Sequence, residues 1–180
     1  MEREKAIILD EKAMQRAIAR ISYEILERNK GTDELCIIGI QRRGVYIADR
    51  IASKIAEVEG VSVPVGSLDI TPHRDDMAYD CGKDDMSDID FSPKDKKVVL
   101  VDDVVYTGRS ARAAMEALIK RGRPRCIQLA ALVDRGHREL PIHADYVGKN
   151  LPTASGERVR VFVTELDGID KVCIFERDEK

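Results

Sequence analysis

The sequence lacks several patterns that mark other classes of protein. Its cysteines, Cys36, Cys81, Cys126 and Cys173, are scattered, and no two of them form a Cys-x-x-Cys pair. This spacing argues against a disulfide framework or a zinc site and indicates small side chains in a reducing compartment. No apolar run approaches the length of a membrane span, and the charged first residues lack the apolar core of a signal peptide. We therefore expect a cytoplasmic protein.

The chain also has little net charge for its charged content. Its formal net charge is −3, although 35% of its 180 residues are charged. The balance excludes a protein that is basic everywhere, but 30 Lys and Arg residues leave room for a local basic patch. A hydrophobic fraction of 43% can fill one sizeable core. Without an internal repeat or a linker, we predict a single domain over residues 1–180.

Short apolar runs alternate with segments of helical periodicity. The predicted strands cover 6–9, 35–40, 61–70, 98–101, 126–133, 159–163 and 172–175, and the predicted helices cover 11–29, 44–56 and 109–121. Asp10 is suited to cap the first helix, and Pro64 is tolerated best in an edge strand. The alternation indicates an α/β fold with a mainly parallel, twisted sheet flanked by helices. Such sheets bind ligands beyond the carboxyl ends of their strands.

One polar connection, about 71–96, is too long for a compact scaffold. Connections of this length are usually lids, binding loops or disordered segments. A solvated acidic loop is the plain alternative. Arg74 near the base of the connection favours a lid.

Residues 98–111, with the sequence VVLVDDVVYTGRSA, carry the strongest chemical signal. A buried strand ends in Asp102 and Asp103, which are costly near a core unless ribose hydroxyls or a hydrated Mg²⁺ satisfy them. The loop that follows opens a helix and can cradle a phosphate through its N–H groups and hydroxyls. Its residues are Thr107, Gly108, Arg109 and Ser110. A simple capped loop would explain Thr107 or Ser110, but not the paired acids.

The whole segment resembles the 5-phosphoribosyl-1-pyrophosphate (PRPP) signature of the phosphoribosyltransferases. A Walker A loop is excluded, because no Gly-x-x-x-x-Gly-Lys occurs. The resemblance implies a type I phosphoribosyltransferase fold with a flexible catalytic loop at about 71–96 and a small base-binding hood at about 134–155. It also implies that Asp102 and Asp103 hold the ribose, with Mg²⁺ bound directly or through water. Arg74 is the expected catalytic contact to the leaving pyrophosphate.

In the phosphoribosyltransferases, the loop after the first core strand binds pyrophosphate. In this chain, the corresponding residues are Gln41, Arg42, Arg43 and Gly44. Two arginines and a glycine suit a polyanion. An ordinary basic turn is the alternative interpretation.

A narrower resemblance is carried by residues 132–150, LVDRGHRELPIHADYVGKN. They are similar to the PyrR family of pyrimidine-operon attenuation regulators and uracil phosphoribosyltransferases, and the similarity extends over nearly the whole chain. The resemblance implies transfer of phosphoribosyl from PRPP to uracil, giving UMP and pyrophosphate. It also implies binding of a hairpin in pyrimidine-operon mRNA when UMP or UTP is bound, and a homodimer or higher homo-oligomer. A uracil salvage enzyme without RNA regulation is the alternative.

Four residues are candidate contacts to the base. Tyr146 and Val147 resemble an aromatic-Val-Gly motif that stacks on the base in purine-handling relatives, although Tyr146 could equally be a partly buried tyrosine anchored by its hydroxyl. Asp134 and Arg135 are either base or pyrophosphate contacts, or a simple surface ion pair. Tyr106 stands where the purine-handling relatives have an acid, which favours a pyrimidine.

Basic side chains on the first helix and in the later segment are candidate RNA contacts. They are Arg20, Arg28, His137, Arg138 and Lys149. Such charges are more often a solvated surface, and it is the family resemblance that favours an RNA face. Ala19 and Tyr23 stand where the family has basic or hydroxyl residues, which keeps the salvage enzyme open as an alternative.

Overall fold

The computed structural model describes residues 2–75, 85–154 and 156–177. Its elements, in chain order, are β1 (Glu2–Leu9), α1 (Glu11–Asn29), β2 (Leu35–Ile40), α2 (Arg43–Glu59), β3 (Val65–Leu68), a 3₁₀ turn (Thr71–His73), β4 (Lys97–Val105), α3 (Arg109–Arg121), β5 (Cys126–Asp134), β6 (Tyr146–Asn150), β7 (Glu157–Phe162), α4 (Thr164–Asp167) and β8 (Lys171–Arg177).

The described strands form two sheets. Five of them make a sheet in the order β3-β2-β4-β5-β6, and every neighbouring pair in it is parallel. The other three make an antiparallel sheet in the order β1-β8-β7. The predicted α/β fold with a mainly parallel sheet is confirmed. The periodicity predicted the strands of the small sheet, but not that they pair apart from the main one.

Both faces of the main sheet are covered, which explains its continuous apolar strands. All six residues of β2 are buried, and so is the run from Val98 to Val101 in β4. One face packs against α1 and α2 through residues such as Met14, Ile21 and Ile51. The other face packs against α3 through small side chains, among them Ala113 and Ala117.

The first helix has the predicted bounds because its ends are specified locally. Asp10 accepts a hydrogen bond from the Ala13 N–H at 2.8 Å, which satisfies one of the free donors of the first turn. At the other end Lys30 adopts a left-handed conformation, and its N–H bonds back to the last turn. Arg20 then attaches this helix to the edge of the sheet by donating to the carbonyl oxygens of Val147 and Gly148.

Two predicted segments differ from the structure. The strand predicted over 61–70 is confined to Val65–Leu68, which lies at the sheet edge as Pro64 led us to expect. Residues 134–155, predicted as a hood, contain the end of β5, a connection and β6, which is the other edge strand of the main sheet. Position 155 and residues 76–84 of the predicted flexible loop lie outside the described residues. No helix in the described ranges could cross a membrane.

Candidate active site

Two adjoining cavities open beyond the carboxyl ends of β2 and β4. The first, about 390 Å³, is lined by residues that include Arg42, Asp69 and Asp103. The second, about 360 Å³, is lined by residues 104–111 and Glu139. Both are lined by Arg74, Asp102, Val104 and Ser110. The structure therefore brings the two acids, Arg74 and the predicted phosphate loop to one place.

The loop from Thr107 to Ser110 has the shape of an anion cradle. Gly108 adopts a left-handed conformation with φ of 93° and caps the start of α3. The Arg109 N–H points back to Thr107 Oγ1 at 3.3 Å. The Thr107 carbonyl oxygen accepts bonds from the backbone of Glu139 and Leu140, at 2.9 and 3.2 Å, which fixes the outer side of the loop. A helix N-terminus of this kind favours a phosphate.

The two adjacent acids lie at the floor of the cavities. Asp102 is only 8% exposed. One oxygen of Asp102 accepts the Asp103 N–H and one oxygen of Asp103 accepts the Val104 N–H, each at 2.9 Å. Burial raises the pKa of Asp102 well above its ordinary value, and the neighbouring Asp103 charge raises it further. Burial also raises the pKa of Asp103, although Asp102 and the nearby Arg43 oppose that rise.

The four residues predicted to bind pyrophosphate divide into different roles. Gln41 and Arg42 line the larger cavity, and the peptide between them is cis. The Gln41 amide also donates to the Met86 carbonyl oxygen at 2.9 Å. Arg43 instead forms an ion pair with Asp167 of α4 at 2.9 Å and does not line this cavity. Gly44 packs on the end of β4.

Arg109 was predicted to bind phosphate, but its side chain is directed elsewhere. Its guanidinium group lies 2.7 Å from a carboxylate oxygen of Glu139 and 2.7 Å from one of Asp75. These two carboxylates balance its charge. The part of Arg109 that stays within the loop is its backbone N–H group, which bonds to Thr107 Oγ1.

The prediction that Tyr146 stacks on a base is wrong. The side chain is 3% exposed and belongs to the core beneath α1. Its hydroxyl donates to Gln128 Oε1 at 2.7 Å, and the hydroxyl oxygen accepts a longer bond from Asn29 Nδ2 at 3.4 Å. The alternative of a tyrosine anchored by its hydroxyl is the correct one, because the ring has no free face. Val147 is partly buried in the same edge strand.

Asp134 and Arg135 do not form the surface ion pair that we considered. Asp134 bonds to Arg138 at 2.6 Å. Arg135 is 8% exposed, donates to Thr153 Oγ1 at 2.7 Å and lies 4.1 Å from the centre of the Tyr106 ring. Arg135 therefore supports an aromatic side chain that lines the smaller cavity.

The five predicted RNA contacts are not one free basic face. Arg138 is 13% exposed in its side chain and donates to the Tyr106 and Ile142 carbonyl oxygens, both at 2.6 Å, as well as to Asp134. It is a structural arginine, contrary to our expectation of an exposed RNA contact, because these inward bonds occupy its guanidinium group. His137 Nε2 lies 2.6 Å from the Thr153 carbonyl oxygen.

The remaining three candidates are exposed. Arg28 is paired with Asp145 at 2.6 Å. Arg20 bonds to Glu24 at 3.2 Å besides its contacts with β6. Lys149 is exposed on β6 and is the candidate best placed to meet a large anionic partner.

Sequence reasoning missed two residues of the site, Asp69 and Glu139. Asp69 is buried at the end of β3, where its carboxylate accepts the Thr71 N–H at 2.9 Å and the Met86 N–H at 3.3 Å. An acid that follows a parallel strand was the available signal. Glu139 reaches the site through its bond to Arg109, a long-range contact that gave no local signal.

The acids fit a divalent cation that arrives with a substrate. Within the described ranges, no group of three or more His, Cys, Asp and Glu side chains is placed to hold a metal by itself. Mg²⁺ commonly binds through one or two carboxylates together with waters and phosphate oxygens of the substrate. Asp102 and Asp103 offer carboxylate oxygens next to a phosphate cradle, so the donor set suits that mode of binding.

A comparison with protein families gives the class of this chain. Residues 5–166 match the phosphoribosyl transferase domain, and the chain belongs to that family. Within it, the chain is 57% identical over 175 residues to the bifunctional protein PyrR of Clostridium novyi, with 96% of this chain and 98% of that protein covered. The corresponding protein of Listeria welshimeri is 52% identical over 183 residues, covering 97% and 98%. These matches confirm the predicted PyrR family.

Solved structures support the fold independently. A hypoxanthine phosphoribosyltransferase of Trypanosoma cruzi superposes with a TM-score of 0.74 over 97% of this chain and 98% of that one, at 17% identity. One from Staphylococcus aureus superposes with a TM-score of 0.71 over 94% and 92%, at 20% identity. At such low identity the likeness concerns the fold alone, and it confirms the type I phosphoribosyltransferase architecture.

Proposed function

We propose that this protein transfers phosphoribosyl from PRPP to uracil, giving UMP and pyrophosphate, and regulates pyrimidine operons by binding RNA. In the second activity it binds a hairpin in the mRNA leader when UMP or UTP is present and thereby promotes transcription attenuation. The observation that carries the transfer is the joining of a phosphate cradle and two buried acids at one pair of cavities. The match to bifunctional PyrR relatives over nearly the whole chain supports both activities.

The proposed reaction needs positioning more than covalent chemistry. Thr107 to Ser110 hold the 5′-phosphate, and Asp102 and Asp103 hold the ribose hydroxyls. The bond from ribose C1 to pyrophosphate breaks with its electrons leaving on oxygen, and a uracil nitrogen bonds to C1 while its proton is released. Arg42 and Arg74 line the cavity where the pyrophosphate charge develops. Such preorganised cations stabilise the separating charge.

Mg²⁺ is part of the proposal. Bound with the pyrophosphate, it would neutralise charge on the leaving group. Asp102 and Asp103 would hold it, directly or through water, because their burial beside one another disfavours two uncompensated charges. Assembly into homodimers or larger homo-oligomers and a cytoplasmic location belong to the same proposal.

The base is tested by comparing catalytic efficiencies. Uracil should be accepted and hypoxanthine and guanine should not, because Tyr106 stands at the mouth of the cradle where purine-handling relatives have an acid. The Tyr106 ring is held by Arg135 below it and by the edge of His137, whose ring centre is 5.8 Å away. Measuring kcat/KM with PRPP and each base decides the point. A higher efficiency with either purine would contradict the assignment.

The RNA activity is tested on the exposed Lys149. Lys149→Ala should weaken binding of a pyrimidine-operon leader hairpin. It should also reduce the slope of log affinity against log salt concentration by about 1, because one phosphate contact is lost. Filter binding at several salt concentrations measures both quantities. Lys120→Ala is the control, since Lys120 is an exposed cation of α3 paired with Glu116. Equal losses in the two variants would indicate a general charge effect and favour a salvage enzyme without RNA regulation.

A further inference from the structure

Two arginines near the start of α3 hold the residues on either side of Arg74. Arg112 Nη2 donates to the His73 carbonyl oxygen at 2.6 Å, and Arg109 Nη1 lies 2.7 Å from Asp75 Oδ2. Because these bonds hold the residue before Arg74 and the residue after it, they restrict the direction in which the Arg74 side chain leaves the backbone. Arg74 lines both cavities of the site.

Asp75 stands between two guanidinium groups. Its Oδ2 is bonded to Arg109 and lies 3.9 Å from Arg112 Nε, which is an ion-pair distance and not a hydrogen bond. That Nε atom is buried and has no hydrogen-bond partner among the residues described. The negative charge at position 75 therefore bonds one guanidinium group and attracts a second, which also pairs with Glu116 at 2.9 Å. An uncharged amide would lose both attractions.

We propose that Asp75 is a positioning residue for Arg74. Through Arg109, it fastens the base of the 71–96 connection to the helix whose N-terminus forms the phosphate cradle. Arg109 also bonds to Glu139, so its side chain braces three segments of the site. The inference rests on the proposed binding of PRPP, because it assigns Arg74 to the pyrophosphate part of that substrate.

The placement of Arg74 matters because catalytic and binding groups act over short distances. A displacement of about 1 Å in a positioned group can cost on the order of 100-fold in rate. The pair itself adds little to folding stability, since Arg109 and Asp75 are both substantially exposed, at 45% and 39% of their side chains. Asp75→Asn keeps the shape of the side chain and should fold normally.

The chain offers a matched control at the other end of the same connection. Asp85 pairs with Arg121 of α3 at 2.5 Å, which makes it an acid held by the same helix. Unlike Asp75, it is remote in sequence from Arg74. Asp85→Asn therefore removes an equivalent ion pair without releasing the residue next to Arg74.

Calorimetry measures two affinities, one for PRPP with Mg²⁺ and one for UMP. The proteins compared are the unsubstituted protein, Asp75→Asn, Arg74→Ala, the double variant of these two, and Asp85→Asn. UMP carries the 5′-phosphate but no pyrophosphate. We expect Asp75→Asn and Arg74→Ala each to weaken PRPP binding roughly 5- to 10-fold and the double variant to lose no more, because the two residues act as a unit. UMP affinity and PRPP binding by Asp85→Asn should stay within about 2-fold.

Three results would overturn the inference. They are unchanged PRPP affinity in Asp75→Asn, equal weakening of PRPP and UMP in that variant, and an equal loss in Asp85→Asn. The second would mean that Asp75 supports the whole loop and not Arg74. A parallel assay of uracil transfer by the unsubstituted protein separates this inference from the proposed reaction. If that protein binds PRPP but does not use uracil, the proposed reaction is wrong, and the binding measurements still test the role of Asp75.

Discussion

Asp102 and Asp103 follow one another at the end of β4, and each has one oxygen bonded to the next backbone N–H. Arg43 lies close enough to Asp103 to oppose the rise in its pKa, whereas the pKa of Asp102 is raised by burial and then by Asp103 itself. The charged form is therefore less favourable for Asp102 than for Asp103 in the free protein. A residue whose charge is unfavourable in the free protein is expected to be retained for a ligand.

The first prediction follows from the unfavourable charge on Asp102. Asp102→Asn should reduce uracil transfer by about 100-fold and yet stabilise the free protein at neutral pH by about 1 kcal/mol, a rise in Tm of about 2–4 °C for a chain of this size. The asparagine oxygen can still accept the Asp103 N–H. Turnover assays and thermal unfolding at pH 7 measure the two effects.

The pH dependence of that stabilisation has a definite sign. The pKa of Asp102 is higher in the folded protein than the ordinary value of 3.8. The cost of the charge is therefore absent below about pH 3.8, grows as the pH rises toward the folded-state pKa, and is complete above it. The stability gained by Asp102→Asn should therefore shrink as the pH falls from the folded-state pKa toward 3.8. A stability gain that grows on acidification would contradict the burial argument.

At the residue scale, the sequence predicted those parts of the site that are consecutive in the chain. The paired acids and the cradle residues are consecutive, so the sequence itself places them together. Tyr146 and Arg138 were misjudged because their roles depend on distant partners, Gln128 for one and the Tyr106 carbonyl oxygen for the other. An aromatic ring or a guanidinium group looks the same in sequence whether it faces a ligand or the interior.

At the scale of elements, the start of α2 decides how closely the pyrophosphate loop approaches the acids. A Cβ atom at Gly44 would clash with the Val101 carbonyl oxygen and contact the Asp102 backbone. The clash involves backbone, which cannot turn aside as a flexible side chain does. Gly44 therefore lets α2 begin directly against the end of β4. Arg42, which precedes the helix, lines the same cavity as Asp103.

The second prediction concerns this approach. Gly44→Ala should destabilise the fold by about 1–3 kcal/mol, because overpacking forces backbone shifts. It should also weaken PRPP binding by displacing Arg42 from the cavity that it lines together with the two acids. Chemical denaturation and PRPP titration measure the two effects. Gly156→Ala is the control, because a Cβ atom there meets nothing within 4 Å. Normal stability and normal PRPP affinity in Gly44→Ala would show that α2 can shift without consequence.

The elements also show where periodicity stops being informative. Helix α1 was predicted with its observed bounds because Asp10 suits its first turn as a cap and Gly31 follows where a helix end is favoured. Strand β6 was read only as a base-binding motif, since it has five residues and two of them are exposed. The pairing of β1 with β8 joins residues more than 150 positions apart, such as Glu4 and Phe175, and no local pattern records such a contact.

At the scale of the whole molecule, one segment joins the candidate RNA contact Lys149 to the proposed nucleotide site. The connection between β5 and β6 bonds to the Thr107 carbonyl oxygen through the backbone of Glu139 and Leu140. Arg138 fixes the neighbouring Tyr106 carbonyl oxygen, and the His137 ring meets the Tyr106 ring edge-on. These contacts join the cradle to the segment that leads to Lys149, and their contiguity offers a physical route for the coupling predicted next.

The third prediction is that the two ligands strengthen each other's binding equally. Nucleotide can alter RNA affinity only by binding one state of the protein better than another, and linkage then requires RNA to tighten UMP binding by the factor with which UMP tightens RNA binding. We expect that factor to lie at roughly 5- to 150-fold. PRPP should compete with UMP, because both place a 5′-phosphate on Thr107 to Ser110.

Titrating a leader hairpin with and without UMP, and UMP with and without the hairpin, gives the two factors. Equal RNA affinities in the presence and absence of UMP would reject the regulatory activity and leave the salvage enzyme.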